Sequence, residues 1–147
     1  MTVVLPLLPR WVRWLGVVTV AGFLFYTSVI TVPPDVAVQQ GGQDVFRSLA
    51  DVTGFAQAQW RHFLAYGTLS CALAYATDHW GMTLWSRALV VVALAALYGL
   101  GIELIQPFAE RTFDVRDIAA NTLGATLVLP WFLLRQFLEL RSLGDLV

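Results

Sequence analysis

The segment 84–105, LWSRALVVVALAALYGLGIELI, is the stretch of sequence that decides the fold. Its only charged side chains are Arg87 near the start and Glu103 near the end. A helix rises about 1.5 Å per residue, so this segment would be roughly 33 Å long and could cross a hydrocarbon core of about 30 Å. The segment therefore predicts a transmembrane helix.

Three further segments share this apolar character, and they lie at residues 11–32, 60–77 and 115–134. None shows the ten-residue alternation that is typical of a membrane β-barrel. Helices satisfy their own backbone hydrogen bonds in hydrocarbon, and prolines at Pro33, Pro34 and Pro107 end two of the predicted helices. The sequence predicts an all-α, polytopic bundle of about four transmembrane helices, forming a single domain over residues 1–147.

Composition supports the membrane class and excludes nucleic-acid binding. Hydrophobic residues make up 58% of the chain and charged residues 13%, whereas a soluble domain has roughly a quarter charged residues. All nine basic residues are Arg, and the formal net charge is -1, so no basic patch is available for phosphates. The single cysteine, Cys71, provides neither a disulfide nor a cysteine-rich metal motif.

The segments outside the predicted spans contribute two further expectations. The apolar stretch 14–32 is longer than the core of a signal peptide, so we expect a retained helix. In the long loop 34–59, apolar residues recur at helical spacing and predict a short helix, either in the membrane interface or packed on the bundle. These residues are Val45, Phe46, Leu49, Val52 and Phe55.

The distribution of arginines predicts that both termini are cytoplasmic. With four spans the two termini lie on the same side of the membrane. Five arginines flank the span ends on that side, and arginines favour the cytoplasmic side. These are Arg10, Arg13, Arg87, Arg135 and Arg141. The remaining arginines, Arg47, Arg61, Arg111 and Arg116, then lie outside. We therefore expect a multi-pass protein of the cell membrane.

Polar residues recur at helical spacing where three predicted spans reach one side of the membrane. The three stripes comprise His62, Tyr66 and Ser70; Gly99, Glu103 and Gln106; and Asp114, Asp117, Asn121 and Gly124. Residues three and four apart share one face of a helix, and polar side chains inside a span usually face a partner or a hydrated cavity. We predict a polar pocket at the outer face with Arg111, His62, Tyr66, Gln106, Asp114 and Asn121 as ligand-binding residues.

Structural roles compete with this interpretation. Asp114 could cap the fourth helix, Glu103 and Arg111 could form an ion pair, and Asn121 could make an interhelical hydrogen bond. If these roles account for the whole set, the protein is a structural scaffold or a subunit without a ligand.

The same residues resemble the VanZ-like membrane protein family. In that family a histidine and a tyrosine open one span, Glu-x-x-Gln closes the next, and Arg-x-x-Asp-x-x-Asp-x-x-x-Asn-x-x-Gly follows. The matching stretches here are HFLAYGTL at 62–69, ELIQ at 103–106 and RTFDVRDIAANTLG at 111–124, within a family-like core at about 58–130. Where relatives often have Asp-Lys ahead of the histidine, this chain has Ala58 and Gln59.

The resemblance implies a prokaryotic protein of the cell envelope. The family takes its name from a protein associated with resistance to teicoplanin, which acts on cell-wall precursors outside the membrane. Our first hypothesis is therefore that the pocket binds an anionic lipid or a lipid-linked head group, with Arg111 contacting the anion.

A second hypothesis is a membrane enzyme, a hydrolase or transferase of a lipid-linked substrate, with Glu103, His62 or Asp117 as the catalytic group. The sequence leaves open whether there is any catalysis. A metal held by His62, Glu103 and an aspartate lacks a spacing motif such as His-x-x-x-His, so we predict neither a metal nor a cofactor. The expected partner is the lipid bilayer, and a homo-oligomer is compatible with the sequence.

Overall fold

The computed structural model describes residues 3–30, 48 and 50–142 of the chain. The described elements, in chain order, are β1 (Val3–Leu7), α1 (Arg10–Phe25), α2 (Gln57–Ala76), α3 (Leu84–Ile105), α4 (Val115–Ala125), α5 (Leu129–Leu134) and β2 (Leu138–Ser142). A π-helical stretch, Tyr26–Ile30, extends α1, and Gln106–Ala109 extends α3 as a 3-10 helix. The predicted all-α bundle is confirmed.

Among the described residues, three helical segments are long and apolar enough to cross a membrane. They are Arg10–Ile30, Leu84–Ala109 and Val115–Leu134. The remaining predicted span, at residues 60–77, corresponds to α2, which has the necessary 20 residues but is too polar to belong to this group. By composition, therefore, the described part of the chain has three span-like helices where the sequence predicted about four.

Helix α2 lies in the middle of the bundle and packs against α1, α3 and α4. Its buried residues include Tyr66, Leu69, Ser70 and Leu73. Only one narrow stripe of α2, which includes Leu64, Thr68 and Cys71, is exposed. A helix that packs against neighbouring helices on its other sides does not need an apolar surface all round. This central position explains how α2 can be the least apolar of the long helices.

The packing of α2 against α4 depends on a glycine. A Cβ atom added to Gly124 would lie 2.8 Å from the carbonyl carbon of Phe63 on α2. Backbone atoms cannot move aside as a flexible side chain could, so any larger residue would force the helices apart. Gly124 thus lets α4 approach the part of α2 that carries the polar residues.

The fourth predicted span is a helix with an interruption. Helix α4 ends at Ala125, a 3-10 turn covers Thr126–Val128, and α5 begins at Leu129. Pro130 stands at the start of α5, where its missing N–H cannot continue the α-helical ladder. The change in hydrogen bonding therefore falls just before the proline.

An ion cluster joins the elements at the end of α2 that is remote from His62. The Asp78 carboxylate accepts hydrogen bonds from Arg135 Nε at 3.0 Å and from Arg135 Nη2 at 3.2 Å. It also forms an ion pair with Arg87 Nη2 at 3.2 Å. Arg13 on α1 donates to the backbone oxygens of Tyr75 at 2.9 Å and Ala76 at 3.3 Å, at the end of α2. These arginines give the C-terminal end of α2 cationic partners.

A short parallel sheet lies beside this cluster and was not predicted from the sequence. β1 pairs with β2 from Val3 opposite Leu138 to Leu7 opposite Ser142. The Tyr75 hydroxyl accepts from the Leu8 N–H at 2.9 Å and donates to the Pro6 carbonyl oxygen at 3.2 Å. The sheet therefore brings the two described ends of the chain together.

Most of the helix expected in the loop 34–59 lies outside the described residues, including Val45, Phe46 and Leu49. Residues 50–53 are helical. This turn ends at Gly54, whose φ of 72° is a left-handed conformation that glycine adopts easily.

The Asp78 cluster predicts a large effect of Asp78→Asn on stability. The substitution leaves Arg87 and Arg135 without their shared carboxylate, and Arg87 is 4% exposed. Removing one partner of a buried ion pair destabilises by about 3–5 kcal/mol, so we expect a loss of this order in the free energy of unfolding of the purified protein in detergent.

Glu139→Gln is the matched control, because Glu139 pairs with Arg141 at 3.0 Å and both side chains are about half exposed. An exposed pair contributes roughly 0–1 kcal/mol. Equal losses in the two variants would show that the Asp78 cluster does not hold the bundle together.

Candidate functional site

The candidate site is formed by three helix ends that meet at one end of the bundle. The first turns of α2 supply His62 and Tyr66, the last turns of α3 supply Glu103, and the beginning of α4 supplies Asp117 and Asn121. We refer to these five residues as the polar cluster.

His62 is held at both ring nitrogens by residues of α4. Its Nδ1 lies 2.9 Å from Asn121 Oδ1, and its Nε2 lies 3.3 Å from Asp117 Oδ2. The ring is also nearly parallel to the Tyr66 ring, with centroids 6.5 Å apart and an interplanar angle of 7°. These contacts fix the orientation of the imidazole.

The second oxygen of Asp117 is held by Gln59, a residue that the sequence analysis did not assign to the site. Gln59 Nε2 donates to Asp117 Oδ1 at 3.0 Å, and Gln59 is 7% exposed. The signal was present in the sequence, because Gln59 precedes His62 by three residues and so shares its helix face. Asp117 thereby has one oxygen directed to an amide and the other to an imidazole.

Glu103 is the most deeply buried charged residue of the site, with 0% exposure. Its Oε2 accepts from the Asp114 backbone N–H at 3.4 Å. Its Oε1 is buried and has no hydrogen-bond partner among the residues that the structure describes. A buried acceptor without a partner is energetically costly, which makes this oxygen the clearest sign of an incomplete site.

Two other atoms of the polar cluster are also buried without a hydrogen-bond partner among the described residues. Within the described part of the chain, Tyr66 Oη and Asn121 Nδ2 are buried and have no hydrogen-bond partner. Both residues pack against Gly99, where an added Cβ would lie 2.9 Å from Tyr66 Cε1 and 3.0 Å from Asn121 Nδ2. Gly99 therefore leaves the space that these two side chains occupy.

Three residues of the predicted polar stripes bond to backbone atoms, and for Asp114 this is the capping role that the sequence left open. Asp114 caps α4, since its Oδ1 accepts from the Arg116 N–H at 2.8 Å. Gln106 donates to the Ser28 carbonyl oxygen at 3.4 Å, and so connects the end of α3 with the segment that follows α1. Ser70 donates to the Gly67 carbonyl oxygen of its own helix at 2.9 Å.

Arg111 lies in the connection between α3 and α4 and is partly buried. Its backbone N–H donates to the Gln106 carbonyl oxygen at 3.1 Å. The preceding residue, Glu110, has a φ of 59°, a left-handed conformation that is uncommon for a residue with a side chain. This turn brings the chain from α3 to α4 next to the polar cluster.

The arrangement offers the donors of a metal site and of a general base. His62, Glu103 and Asp117 each present one potential ligand atom, and the three atoms lie within 4.8 Å of one another. An imidazole fixed by a carboxylate and an amide is also the arrangement in which a histidine can accept a proton.

Span-like helices around a buried polar cluster define this protein as a helical membrane protein. The chain matches the family model VanZ/LLP1 over residues 3–136, and it therefore belongs to that family. The match confirms the resemblance seen in the sequence motifs. No curated protein and no solved structure matches the chain.

The unpartnered hydroxyl of Tyr66 predicts that Tyr66→Phe is tolerated by the fold. The substitution removes a buried polar atom with no partner in the described structure, so we expect the free energy of unfolding to stay unchanged or to rise by up to about 1 kcal/mol. Thermal and chemical unfolding of the purified protein measures this.

Tyr98→Phe is the matched control, since the Tyr98 hydroxyl donates to the Ala21 carbonyl oxygen at 2.6 Å. Losing this bond should destabilise the protein by about 1 kcal/mol. An equal loss in Tyr66→Phe would mean that the Tyr66 hydroxyl fastens helices and is not reserved for a ligand.

Proposed function

We propose that this chain is a multi-pass membrane protein of the cell envelope whose polar cluster binds the head group of an anionic lipid or a lipid-linked molecule. The observation that carries the proposal is the gathering of three buried, unpartnered polar atoms in one cluster. Within the described residues these atoms are Tyr66 Oη, Asn121 Nδ2 and Glu103 Oε1.

These atoms comprise both donors and an acceptor. Tyr66 and Asn121 can donate, whereas an ionised Glu103 can only accept. A head group that carries hydroxyl and phosphate oxygens has the complementary groups. Binding of such a head group would supply the hydrogen bonds that the cluster lacks. These bonds stabilise most where water is excluded.

The surface near Arg111 supports a lipid ligand. Phe108 is 90% exposed, Val115 is 67% exposed and Phe113 is 44% exposed, and all three lie within a few residues of Arg111. Exposed apolar side chains beside polar ones are typical of a membrane interface. In our proposal Arg111 contacts the anionic part of the head group and these residues contact the acyl chains.

The proposal predicts that Arg111→Ala weakens binding of anionic lipid. A charge-assisted hydrogen bond contributes about 1.5–3 kcal/mol, so affinity should fall roughly tenfold or more. Native mass spectrometry of the protein, extracted in mild detergent and titrated with an anionic phospholipid, measures the occupancy.

Arg116→Ala provides the control, because Arg116 is an exposed arginine of the same region. This substitution removes the same charge as Arg111→Ala does. Its lipid occupancy should equal that of the unmodified protein. Retention of anionic lipid by the Arg111 variant, or an equal loss in both variants, would refute the role of Arg111.

We also propose that both termini face the cytoplasm. Arg13 and Arg87 are buried at the end of the bundle that carries Asp78, and Arg135 joins the same cluster. Arginines at one end of the spans favour the cytoplasmic side. The polar cluster would then lie toward the outer face.

Reporter fusions test this orientation. We expect alkaline phosphatase inserted in the loop 34–59 to be active and green fluorescent protein at the C-terminus to be fluorescent. The reverse pattern, an inactive loop reporter with a dark C-terminal fusion, would invert the proposed topology.

A membrane enzyme is the second candidate, and one observation favours it. His62 Nε2 lies 3.3 Å from Asp117 Oδ2 in a cluster that also contains the buried Glu103. These groups could move a proton during hydrolysis of, or transfer to, a lipid-linked substrate. The two candidates differ in the fate of the bound lipid, which mass spectrometry would find chemically unchanged for a binding protein.

A further inference from the structure

We propose that His62, Glu103 and Asp117 bind one divalent transition-metal ion between α2, α3 and α4. One potential ligand atom from each residue lies within 4.8 Å of the others. The proposal depends on these three residues and their immediate contacts, and it does not require the binding of a head group. With the ion bound, the Glu103 carboxylate is a metal ligand, and Tyr66 Oη and Asn121 Nδ2 remain for a head group.

His62 Nε2 and Asp117 Oδ2 face each other at 3.3 Å in a way that requires a cation between them. Asn121 Oδ1 lies 2.9 Å from His62 Nδ1, and an amide oxygen can only accept, so Nδ1 carries a proton. In the neutral imidazole the lone pair is then on Nε2, which faces Asp117 Oδ2. Two lone pairs at this distance repel unless a proton or a metal ion lies between them.

The distance itself suits two ligands of one metal ion. With metal–ligand bonds of about 2.0–2.1 Å and tetrahedral angles, neighbouring ligand atoms are about 3.3 Å apart. His62 Nε2 and Asp117 Oδ2 are 3.3 Å apart.

The surroundings of Glu103 favour a metal ion over a shared proton. A proton shared by His62 and Asp117 satisfies those two residues but leaves Glu103 Oε1 buried and without a hydrogen-bond partner among the described residues. Glu103 is 0% exposed, so water does not solvate it from outside. A metal ion bound by all three residues would give the buried Glu103 carboxylate a partner as well.

Each proposed ligand is also oriented by a hydrogen bond at its other polar atom. Asn121 holds His62 Nδ1, Gln59 holds Asp117 Oδ1 at 3.0 Å, and the Asp114 N–H lies 3.4 Å from Glu103 Oε2. In each case the contact leaves the second atom of the residue available. Such outer contacts orient the ligands of natural metal sites and tune their affinity.

The donor set indicates the class of metal. One imidazole nitrogen with two carboxylate oxygens suits Mn²⁺, Fe²⁺ or Zn²⁺, whereas Mg²⁺ and Ca²⁺ prefer oxygen ligands alone. Two carboxylates, a neutral histidine and a divalent ion sum to zero charge. This neutrality would reduce the cost of placing two acids at membrane depth.

Metal binding to the full-length protein in detergent, stripped with a chelator and free of added lipid, tests the proposal. Titration calorimetry with Zn²⁺ and with Mn²⁺, together with elemental analysis after gel filtration, should give one bound ion per chain. Mg²⁺ should bind much more weakly than either. Glu103→Gln and Asp117→Asn should each lower the affinity for metal by roughly 100-fold or more. Gln59 only orients Asp117, so Gln59→Ala should cause a smaller loss of about 10–100-fold.

Glu139→Gln is the matched control, since it removes an exposed carboxylate near Arg141 and should leave metal binding unchanged. Folding is followed separately as the midpoint of thermal unfolding in chelator and in metal. We expect bound metal to raise this midpoint in the unmodified protein and not in the ligand variants. If either Glu103→Gln or Asp117→Asn fails to fold, the remaining variant and His62→Gln are used for the comparison.

Three results would overturn the proposal. The first is that neither Zn²⁺ nor Mn²⁺ binds stoichiometrically, and the second is that the ligand variants bind metal as well as Glu139→Gln does. The third is that the Mn²⁺ spin-echo spectrum shows no nitrogen ligand, or shows one that persists in His62→Gln. The Arg111→Ala protein should retain the metal, so failure of the metal proposal and failure of head-group binding give different patterns.

Discussion

The requirement that every buried polar atom find a partner inside the bundle governs this structure. Hydrocarbon offers no hydrogen bonds, so a polar side chain on a spanning helix must be met by another helix or by a ligand. Helix α2 carries much of this polarity and accordingly packs against α1, α3 and α4. The apolar helices around it have their exposed hydrophobic side chains available for lipid.

The two ends of α2 meet this requirement in different ways. At its C-terminal end, Asp78 is paired with two arginines, and Arg13 binds the last carbonyl oxygens of the helix. At its N-terminal end, the contacts of His62 are made, but Tyr66 and its neighbours on α3 and α4 retain buried atoms without partners in the described structure. Arg13 Nε and Arg87 Nε are also buried without a partner in the described structure, but both belong to guanidinium groups whose other nitrogens are bonded. The N-terminal end differs because its unpartnered atoms come from three helices, meet in one cluster and include a carboxylate oxygen, which indicates a place for a ligand.

Several residues of the polar cluster could be grouped from the sequence because helical spacing is a local property. His62 and Tyr66 are four residues apart, as are Asp117 and Asn121, and the structure brings both pairs together with Glu103. Gln59 was missed even though its spacing to His62 was correct, because an amide at a helix start has many alternative partners. A metal held by His62, Glu103 and an aspartate was considered from the sequence but not predicted, because ligands that come from three helices form no local motif.

The sequence by itself determined the helical membrane class, the family and the set of residues available for the site. These depend on composition, on periodicity and on motifs that are read along the chain. The tertiary structure decided the central position of α2, the Asp78 ion cluster and the pairing of β1 with β2. It also decided which atom of each polar side chain is held and which is left over, because hydrogen-bond partners from different helices are set by packing, for which local sequence carries no signal.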